Sequence, residues 1–307
     1  MSASPAASRP SARSRLARAI PIVLALCGLA RWGIAAAVPG QAPEPRPHVV
    51  FVTGDDEYRS EVTMPMIAAI LEARHGFRTS VAYARPTPQT HDHIEGLDAL
   101  EGADVMVLFV RFRALPEDQL GAILRFVESG RGIVGLRTST HAFQYPDGHP
   151  RRALNDSFGL DVFGQKWITH HGSRSRTEVR VVDPRHPAVS GVVPFLARSW
   201  LYHVTPLHGE ATILLDGTAV NSDKAGTPAT HPPTQPVAWT RQHGRSRVFF
   251  TTLGHPDDFT HEPMRRLLLN GIHWAAGRQV PAGGADARPV EPYVAPEPFD
   301  LSRLPRR

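Results

Sequence analysis

The sequence predicts an α/β protein with a single domain built on a mostly parallel, doubly wound β-sheet. Two observations lead to this fold class. Apolar strands alternate with helical segments through the first half of the chain, which is the order of βαβ units. The strands are also almost continuously apolar, as expected for a sheet covered on both faces. With 307 residues, 41% of them hydrophobic, the chain is large enough to bury a substantial core.

The first strand is expected at HVVFVTG, which is apolar and stops at Gly54. The next segment, MPMIAAILEARHGF, predicts a helix that begins at Pro65 and ends at Gly76, because proline favours the first helical turn and glycine the position after the last one. TSVAYA and ADVMVLFV are the strands that follow.

The clearest helix begins at Pro116 and ends at Gly130. Its apolar residues recur at i, i+3, i+4 and i+7, and they are Leu120, Ile123, Leu124 and Val127. GIVGL is the next predicted strand, so the helix reads as a crossover between two parallel strands.

The middle of the chain, from Gln144 to His231, is less regular, and TEVRVV and ATILL are its predicted strands. PVAWTR and RVFFTTLGH then predict a hairpin at the edge of the sheet. The last helix is expected at EPMRRLLLNGIHWAAG. Its apolar face consists of Met264, Leu267, Leu268 and Ile272.

Residues 1–37 are expected to be a signal peptide, because four arginines precede the apolar run AIPIVLALCGLA and AAA follows it. The predicted location is therefore secreted or periplasmic. The run is short for a membrane span, so no integral membrane span is expected; lipid attachment through Cys27 is an alternative. Residues 38–47 are a Pro-rich linker, residues 48–279 the folded domain, and residues 280–307 a Pro-rich tail without periodicity.

Charge and cysteine content exclude several classes of function. The predicted signal peptide holds five arginines and no acidic residue, which accounts for the whole formal net charge of +5. The mature chain is formally neutral and gives no support for nucleic-acid binding. Cys27 is the only cysteine, so the mature chain has no disulfide, no thiolate nucleophile and no thiolate metal ligand.

Ionisable residues follow four apolar strands, in GDDEYRS, RFR, RTSTH and HPDDF. The carboxyl ends of parallel strands lie at one edge of a sheet, where ligands bind in open α/β folds. We therefore expect one shared crevice. Its candidate residues are Asp55, Asp56, Glu57, Arg59, Arg111, Arg137, His141, His255 and Asp257. Arg113 and Asp258 are expected instead to form ion pairs at the rim.

GLRTSTHAF is the most central of these strand ends. Arg137 and His141 are expected to enter the crevice mouth, while the hydroxyl groups satisfy the following turn. Loss of the Arg137 side chain should then reduce ligand affinity or turnover with little change in stability. Ser139 as a nucleophile is an alternative that needs His141 or another base within hydrogen-bond reach.

KWITHHGSRS adds His170 and His171. One of them could bind a metal together with His141, His255 or Asp257 if the fold brings these residues together. General acid–base chemistry by one histidine needs no further ligand, so no cofactor is expected. G-x-G-x-x-G is absent after every strand, so redox chemistry would need a partner protein such as a separate sugar oxidoreductase.

Aromatic residues lie near the same histidine-rich segment. Trp167, Trp200 and Tyr202 suit the apolar face of a sugar, although buried packing is an alternative role for at least one of them.

The strand ends, together with GFRTSVAY, HPAVSG, PVAWTRQHGRSRVFFTTLGH and MRRLLLNGIHWAAG, resemble the trehalose-utilisation ThuA-like family from about His48 to Gly277. The resemblance implies a flavodoxin-like variant of the class I glutamine amidotransferase fold and a role in carbohydrate metabolism. Amidotransferases carry a cysteine nucleophile in the turn that here reads Leu136 to Ser139, so cysteine-dependent amidotransfer is excluded. Family members also tend to carry an acid just before the residue that corresponds to Tyr202, and this chain does not.

Two functions are compatible with these observations. The first is a carbohydrate-active enzyme of the hydrolase, lyase or isomerase type that acts on a sugar or keto-sugar. In it, Arg111 and Arg137 hold polarised oxygens and His141 or His171 moves a proton, so activity should titrate near neutrality. The second is a carbohydrate-binding protein without turnover. Both take a small carbohydrate as ligand.

Overall fold

The computed structural model describes residues 45–300. The predicted signal peptide with Cys27, residues 38–44 of the predicted linker and residues 301–307 of the predicted tail lie outside the described residues. The proposed boundaries therefore stay predictions. None of the helices within residues 45–300 is long and apolar enough to cross a membrane.

Twelve strands are present in this part of the chain. They are β1 (His48–Gly54), β2 (Arg78–Ala84), β3 (Ile94–Glu95), β4 (Val105–Val110), β5 (Gly132–Leu136), β6 (Thr169–His170), β7 (Arg176–Val181), β8 (Phe195–Ala197), β9 (Tyr202–His203), β10 (Ala211–Val220), β11 (Thr234–His243) and β12 (Ser246–Thr251).

The helices between them include four α-helices. They are α1 (Ser60–His75), α2 (Glu117–Glu128), α3 (Leu154–Phe158) and α4 (Glu262–Ala275). Short 3-10 helices lie at Leu97–Gly102, Arg137–His141, Pro187–Val189 and Pro256–Thr260, and a π-helix lies at Gly159–Phe163.

A ten-stranded sheet has the order β3-β2-β1-β4-β5-β12-β11-β10-β7-β8. The pairs from β2 to β12 are parallel, and β11, β10, β7 and β8 continue the sheet in antiparallel fashion. β6 and β9 form a separate antiparallel pair. The predicted fold class is confirmed: strands β1, β4, β5 and β12 are buried along almost their whole length, and α1 and α4 pack on them.

The predicted hairpin forms, but its predicted place at the sheet edge is wrong. β12 pairs in parallel with β5 and antiparallel with β11, so the hairpin lies inside the sheet. The physical reason is backbone pairing: β12 hydrogen bonds to a strand on each side, and the burial of Val248, Phe249 and Phe250 is what a sheet covered on both faces requires of such a strand.

The first helix begins earlier than predicted, at Ser60 rather than at Pro65. The Ser60 hydroxyl accepts hydrogen bonds from the backbone N–H groups of Gly54 and Asp55, which joins the end of β1 to the start of the helix. Pro65 lies inside the helix, where its ring removes one backbone donor. Gly76 ends the helix in the left-handed conformation, as predicted.

Candidate functional site

The four predicted strand ends lie at one edge of the sheet, because β1, β4, β5 and β12 run parallel. Direct contacts join them. The Thr138 hydroxyl after β5 donates to Asp55 after β1, and the guanidinium of Arg137 donates to the Thr252 carbonyl after β12, at 2.9 Å. Residues that are distant in sequence therefore form one polar cluster.

Asp55 is fully buried and fully hydrogen bonded. One carboxylate oxygen accepts the backbone N–H groups of Glu57 and Tyr58, at 2.7 and 2.5 Å, and the other accepts the Thr138 hydroxyl. Burial, with the neighbouring charges of Asp56 and Glu57, raises the pKa of Asp55 to about 6. This carboxyl shapes the loop after β1 and changes charge close to neutral pH.

Asp56 is the centre of a buried ion cluster. Its carboxylate accepts hydrogen bonds from Arg111 at 2.8 Å and from His91 at 2.7 Å. Arg111 also lies 3.4 Å from the Glu57 carboxylate. Arg113 lies 3.7 Å from Asp56 and otherwise donates to backbone carbonyls, which agrees with the expected ion pair, but its side chain is fully buried rather than at the rim.

Arg137 is fully buried, so the expected position at the crevice mouth is wrong. Its guanidinium donates to the Thr252 carbonyl at 2.9 Å and to the Tyr58 hydroxyl at 3.0 Å. It also lies over three aromatic rings, with distances of 4.2 Å to Tyr58, 4.4 Å to Tyr202 and 5.0 Å to Trp200. The three rings enclose the guanidinium and separate it from solvent. Because aromatic faces attract cations, these contacts also stabilise its charge.

His141 lies at the end of the same turn and is 5% exposed. The Thr140 hydroxyl donates to the Arg137 carbonyl and is 3.2 Å from His141 Nδ1. Because that hydroxyl has one proton, Nδ1–H is the donor in the second contact, and Nε2 carries the lone pair. Burial, with the charges of Arg111 and Arg137, lowers the pKa of His141 well below its usual value, so the ring is neutral.

His170 on β6 faces an aromatic group formed by Trp167, Trp200 and Tyr202, with ring distances of 5.9, 5.7 and 6.4 Å. Its Nδ1 accepts the backbone N–H of Gly172 at 3.0 Å, which leaves the proton on Nε2. Burial, followed by the charge of Arg137, lowers the pKa of His170 to about 4. His141 contacts the same group, at 5.4 Å from Trp167 and 6.4 Å from Tyr202.

His255 completes a set of three histidines. Its ring is 6.0 Å from Tyr58 and 6.1 Å from Trp200. Nδ1 accepts the backbone N–H of Asp257 at 3.2 Å, so this ring too has its proton on Nε2. Burial is the main cause that lowers the pKa of His255 to about 4, and Arg137 adds to it.

The hydroxyl groups of the β5 turn satisfy the backbone, as expected. Ser139 donates to the Leu108 carbonyl at 2.7 Å and accepts the Val110 N–H at 3.3 Å, and both partners belong to β4. No contact between Ser139 and a histidine is recorded within residues 45–300. The geometry therefore gives no support to Ser139 as a nucleophile.

Two of the candidate residues, Arg59 and His171, make their hydrogen bonds outside the histidine group, and a third, Asp257, lies beside His255. Arg59 donates to the Glu61 carboxylate at 2.6 Å and to the Glu297 carbonyl at 3.1 Å. Both ring nitrogens of His171 are engaged, with Ser222 at 2.8 Å and with the Pro232 carbonyl at 3.0 Å. The Asp257 side chain is half exposed and lies 3.7 Å from the Nδ1 of His255. No group of three or more His, Cys, Asp or Glu side chains within residues 45–300 is arranged to hold a metal.

Asp258 is a fully buried structural carboxylate, and its hydrogen-bond partners within residues 45–300 are backbone N–H groups and a hydroxyl rather than the cation expected to pair with it at the rim. It accepts five hydrogen bonds, from the backbone N–H groups of Arg198, Ser199, Gly254 and His255 and from the Ser199 hydroxyl. The segment before Tyr202 lacks the acid that the family resemblance led us to expect, and the carboxylate that contacts this segment comes from Asp258 instead.

Backbone strain coincides with the site. Arg59, Phe112 and Arg137 all have positive φ, at 60°, 51° and 40°, and each follows one of the parallel strands. Residues other than glycine rarely adopt this backbone conformation, and it persists only where surrounding contacts enforce it. Gly254, after β12, also has a positive φ, at 148°, and a side chain at this position would lie close to Arg137 and Phe109. Such strain is typical of functional sites.

Sequence comparison identifies the family. The model of the ThuA family, described as trehalose utilisation, matches residues 48–275. The chain belongs to the ThuA family. A search of curated protein sequences finds no match.

A solved structure of a ThuA-like protein shows the same fold. A ThuA-like protein from Parabacteroides merdae is similar over 80% of this chain and 98% of its own, with 18% identity and a TM-score of 0.55. A glutamine amidotransferase from Thermotoga maritima matches 76% of this chain and 99% of its own, with 9% identity and a TM-score of 0.42. Membership of the ThuA family suggests a carbohydrate-related role.

Tyr58 was not among the predicted site residues, and the contact of Trp200 with Arg137 was not predicted for either of the two roles considered for Trp200, a sugar face or buried packing. Tyr58 is contained in the GDDEYRS strand end, so its position was a usable signal. The role of Tyr58 could not be predicted from the sequence, because its hydrogen bond to a buried arginine of another loop depends on tertiary structure.

Proposed function

We propose that this ThuA-family protein is an exported carbohydrate-active enzyme that acts on a sugar or keto-sugar by histidine acid–base chemistry. The observation that carries the proposal is the group of three neutral histidines, His141, His170 and His255, around Trp200 and Tyr202.

The tautomers of the three rings support a division of roles. His141 has its lone pair on Nε2 and is suited to accept a proton from a substrate hydroxyl or carbon. His170 and His255 have Nε2–H and are suited to donate hydrogen bonds to a carbonyl or hydroxyl oxygen. A base and two donors are the groups that hydrolysis, elimination or isomerisation of a carbohydrate requires.

The aromatic residues support a sugar as the ligand. Trp167, which contacts His141 and His170, is partly exposed, and its neighbour Ile168 is 46% exposed. The C–H face of a sugar packs on aromatic rings, while its hydroxyl groups hydrogen bond to polar side chains. Arg111, 16% exposed at its side chain, is the cation best placed to reach the ligand, and Arg137 acts from behind the rings.

The test is product analysis with the purified mature protein, using trehalose and a keto derivative of trehalose as substrates. His141→Gln is expected to lower turnover by about 10²- to 10⁴-fold, the contribution of a general base. His243→Gln is the matched control, because His243 is the last residue of β11 and pairs with the start of β12, at the end of the strands opposite to the candidate site. It should keep wild-type turnover.

Two outcomes would contradict the proposal. Binding of either sugar without any product would show a carbohydrate-binding protein rather than an enzyme. Equal turnover in His141→Gln and wild type would remove His141 from the mechanism. Export is tested separately by N-terminal sequencing of the protein from the producing cell, which should begin near Val38.

A further inference from the structure

The segment after α4 carries no helix or strand, yet its first half is tightly attached to the domain. Ala285 and Ala287 are fully buried. The Ala285 N–H donates to the Asn270 side chain at 2.8 Å, and the Ala287 carbonyl accepts from Arg265 at 2.7 Å. Both partners belong to α4, so residues 280–289 are anchored on that helix.

The second half, residues 290–300, extends from this anchor to the loops of the candidate site. The Tyr293 hydroxyl donates to the Pro256 carbonyl at 3.0 Å, directly after His255. The Phe299 N–H donates to the Glu57 carbonyl at 2.9 Å, directly before Tyr58. One segment therefore contacts both loops that frame the site.

Arg59 adds a third attachment. Its guanidinium donates to the Glu297 carbonyl and lies 4.5 Å from the centre of the Phe299 ring. Its backbone is in the strained left-handed conformation, with φ of 60°. A residue held in such a conformation needs surrounding contacts that maintain it, and the tail supplies two of them.

The composition of the segment suits this role. Four prolines restrict the backbone of VEPYVAPEPFD and of the residue just before it; they are Pro289, Pro292, Pro296 and Pro298. A chain that is already extended loses less conformational entropy when it is held against a surface. The segment can therefore bridge two loops without secondary structure of its own.

We propose that residues 290–300 form a C-terminal strap that positions the loops after β1 and β12 for ligand binding, with Tyr293 and Arg59 as positioning residues. The inference rests on the proposed function for its ligand, but the positioning of the loops is measurable without one.

The first experiment compares the mature wild-type protein with a variant that ends at Pro289. Hydrogen exchange at the backbone amides of Tyr58 and Asp258 should become at least about tenfold faster, while amides of β4 and β5 stay protected. The affinity for trehalose or its keto derivative should fall by about tenfold. Unchanged exchange in both loops would overturn the proposal. A wild-type protein that binds neither sugar would count against the proposed function, whereas the exchange result would still decide the strap.

Point variants keep the test independent of the truncation. Tyr293→Phe removes only the hydroxyl that bonds Pro256, so exchange at Asp258 should rise by about fivefold, the effect of one neutral hydrogen bond. The NMR titration of His255 should move towards its ordinary pKa, because a loosened loop admits water. Val294→Ala is the matched control, since this neighbour is 83% exposed, and it should change neither readout. Equal behaviour of the two variants would exclude Tyr293 as a positioning residue.

Discussion

Replacement of Arg137 by methionine is expected to destabilise the protein by about 2 to 4 kcal/mol, contrary to the small effect expected from the sequence. Loss of the guanidinium leaves the Thr252 carbonyl and the Tyr58 hydroxyl without this donor, at about 1 to 3 kcal/mol each. The cation–π contacts add about 0.5 to 2 kcal/mol each. Methionine avoids the cost of burying a charge, which is several kcal/mol and offsets much of that sum.

The measurement is urea unfolding of the mature protein without ligand, followed by tryptophan fluorescence. A change of this size corresponds to a lowering of Tm by about 4 to 16 °C for a domain of this length. Arg174→Met is the control, because the Arg174 side chain is 86% exposed, and it should stay within about 0.5 kcal/mol of wild type. An Arg137→Met protein that unfolds at the wild-type urea concentration would refute the reasoning.

Hydrogen bonds at Ser139 and Asp258 and the burial of His273 lead to three more expected outcomes. Ser139→Ala should retain most of the activity and lose about 1 to 2 kcal/mol of stability, because the hydroxyl group hydrogen bonds to two backbone groups of β4. Loss of all turnover in folded protein would favour the alternative that Ser139 is a nucleophile. Asp258→Asn should lower the free energy of unfolding by about 2 to 4 kcal/mol in urea unfolding, because an amide NH₂ group cannot accept the hydrogen bonds that a carboxylate oxygen accepts from backbone N–H groups. An unfolding midpoint equal to that of wild type would contradict the structural role of Asp258. Burial, with His75 and Arg278 nearby, lowers the pKa of His273 to about 4, so as pH falls from about 7 to about 5 the unfolded state binds a proton that the folded state does not. The free energy of unfolding should fall over that range by up to about 2 kcal/mol for this residue, and His273→Phe should reduce the fall; equal slopes would exclude His273.

The fold was predictable because its signals are local. The apolar runs of β1, β4 and β5 and the helical spacing from Leu120 to Val127 can be read within windows of a dozen residues. The order of strands is not local. The hairpin of β11 and β12 was placed wrongly because its insertion beside β5 depends on pairing between residues more than 100 positions apart.

The clustering of the candidate residues was predictable from the sequence, whereas the surroundings of each side chain were not, and the functional roles of these residues stay predictions. The strand-end rule brought Asp55, Asp56, Arg111 and His141 into one region, which the contacts bear out. It could not distinguish a charge at a crevice mouth from one enclosed by rings, because the rings that enclose Arg137 come from other parts of the chain.

Burial of the site also changes the expected pH dependence of the proposed activity. A histidine at its usual pKa predicts a titration near neutrality, as the sequence suggested. Burial instead lowers the pKa of His170 and His255 to about 4 and raises that of Asp55 to about 6. His170 and His255 should therefore keep their neutral, donating form down to about pH 5, and of these three groups Asp55 is the first to change charge as the pH falls below neutrality. The acid limb of kcat should lie between about pH 4 and 6, and an Asp55→Asn protein that keeps its fold should shift that limb downwards. A limb at about pH 6.5 that is unaffected by Asp55→Asn would mean that the histidines are hydrated in the complex, and that ligand binding opens the ring of aromatic residues around them.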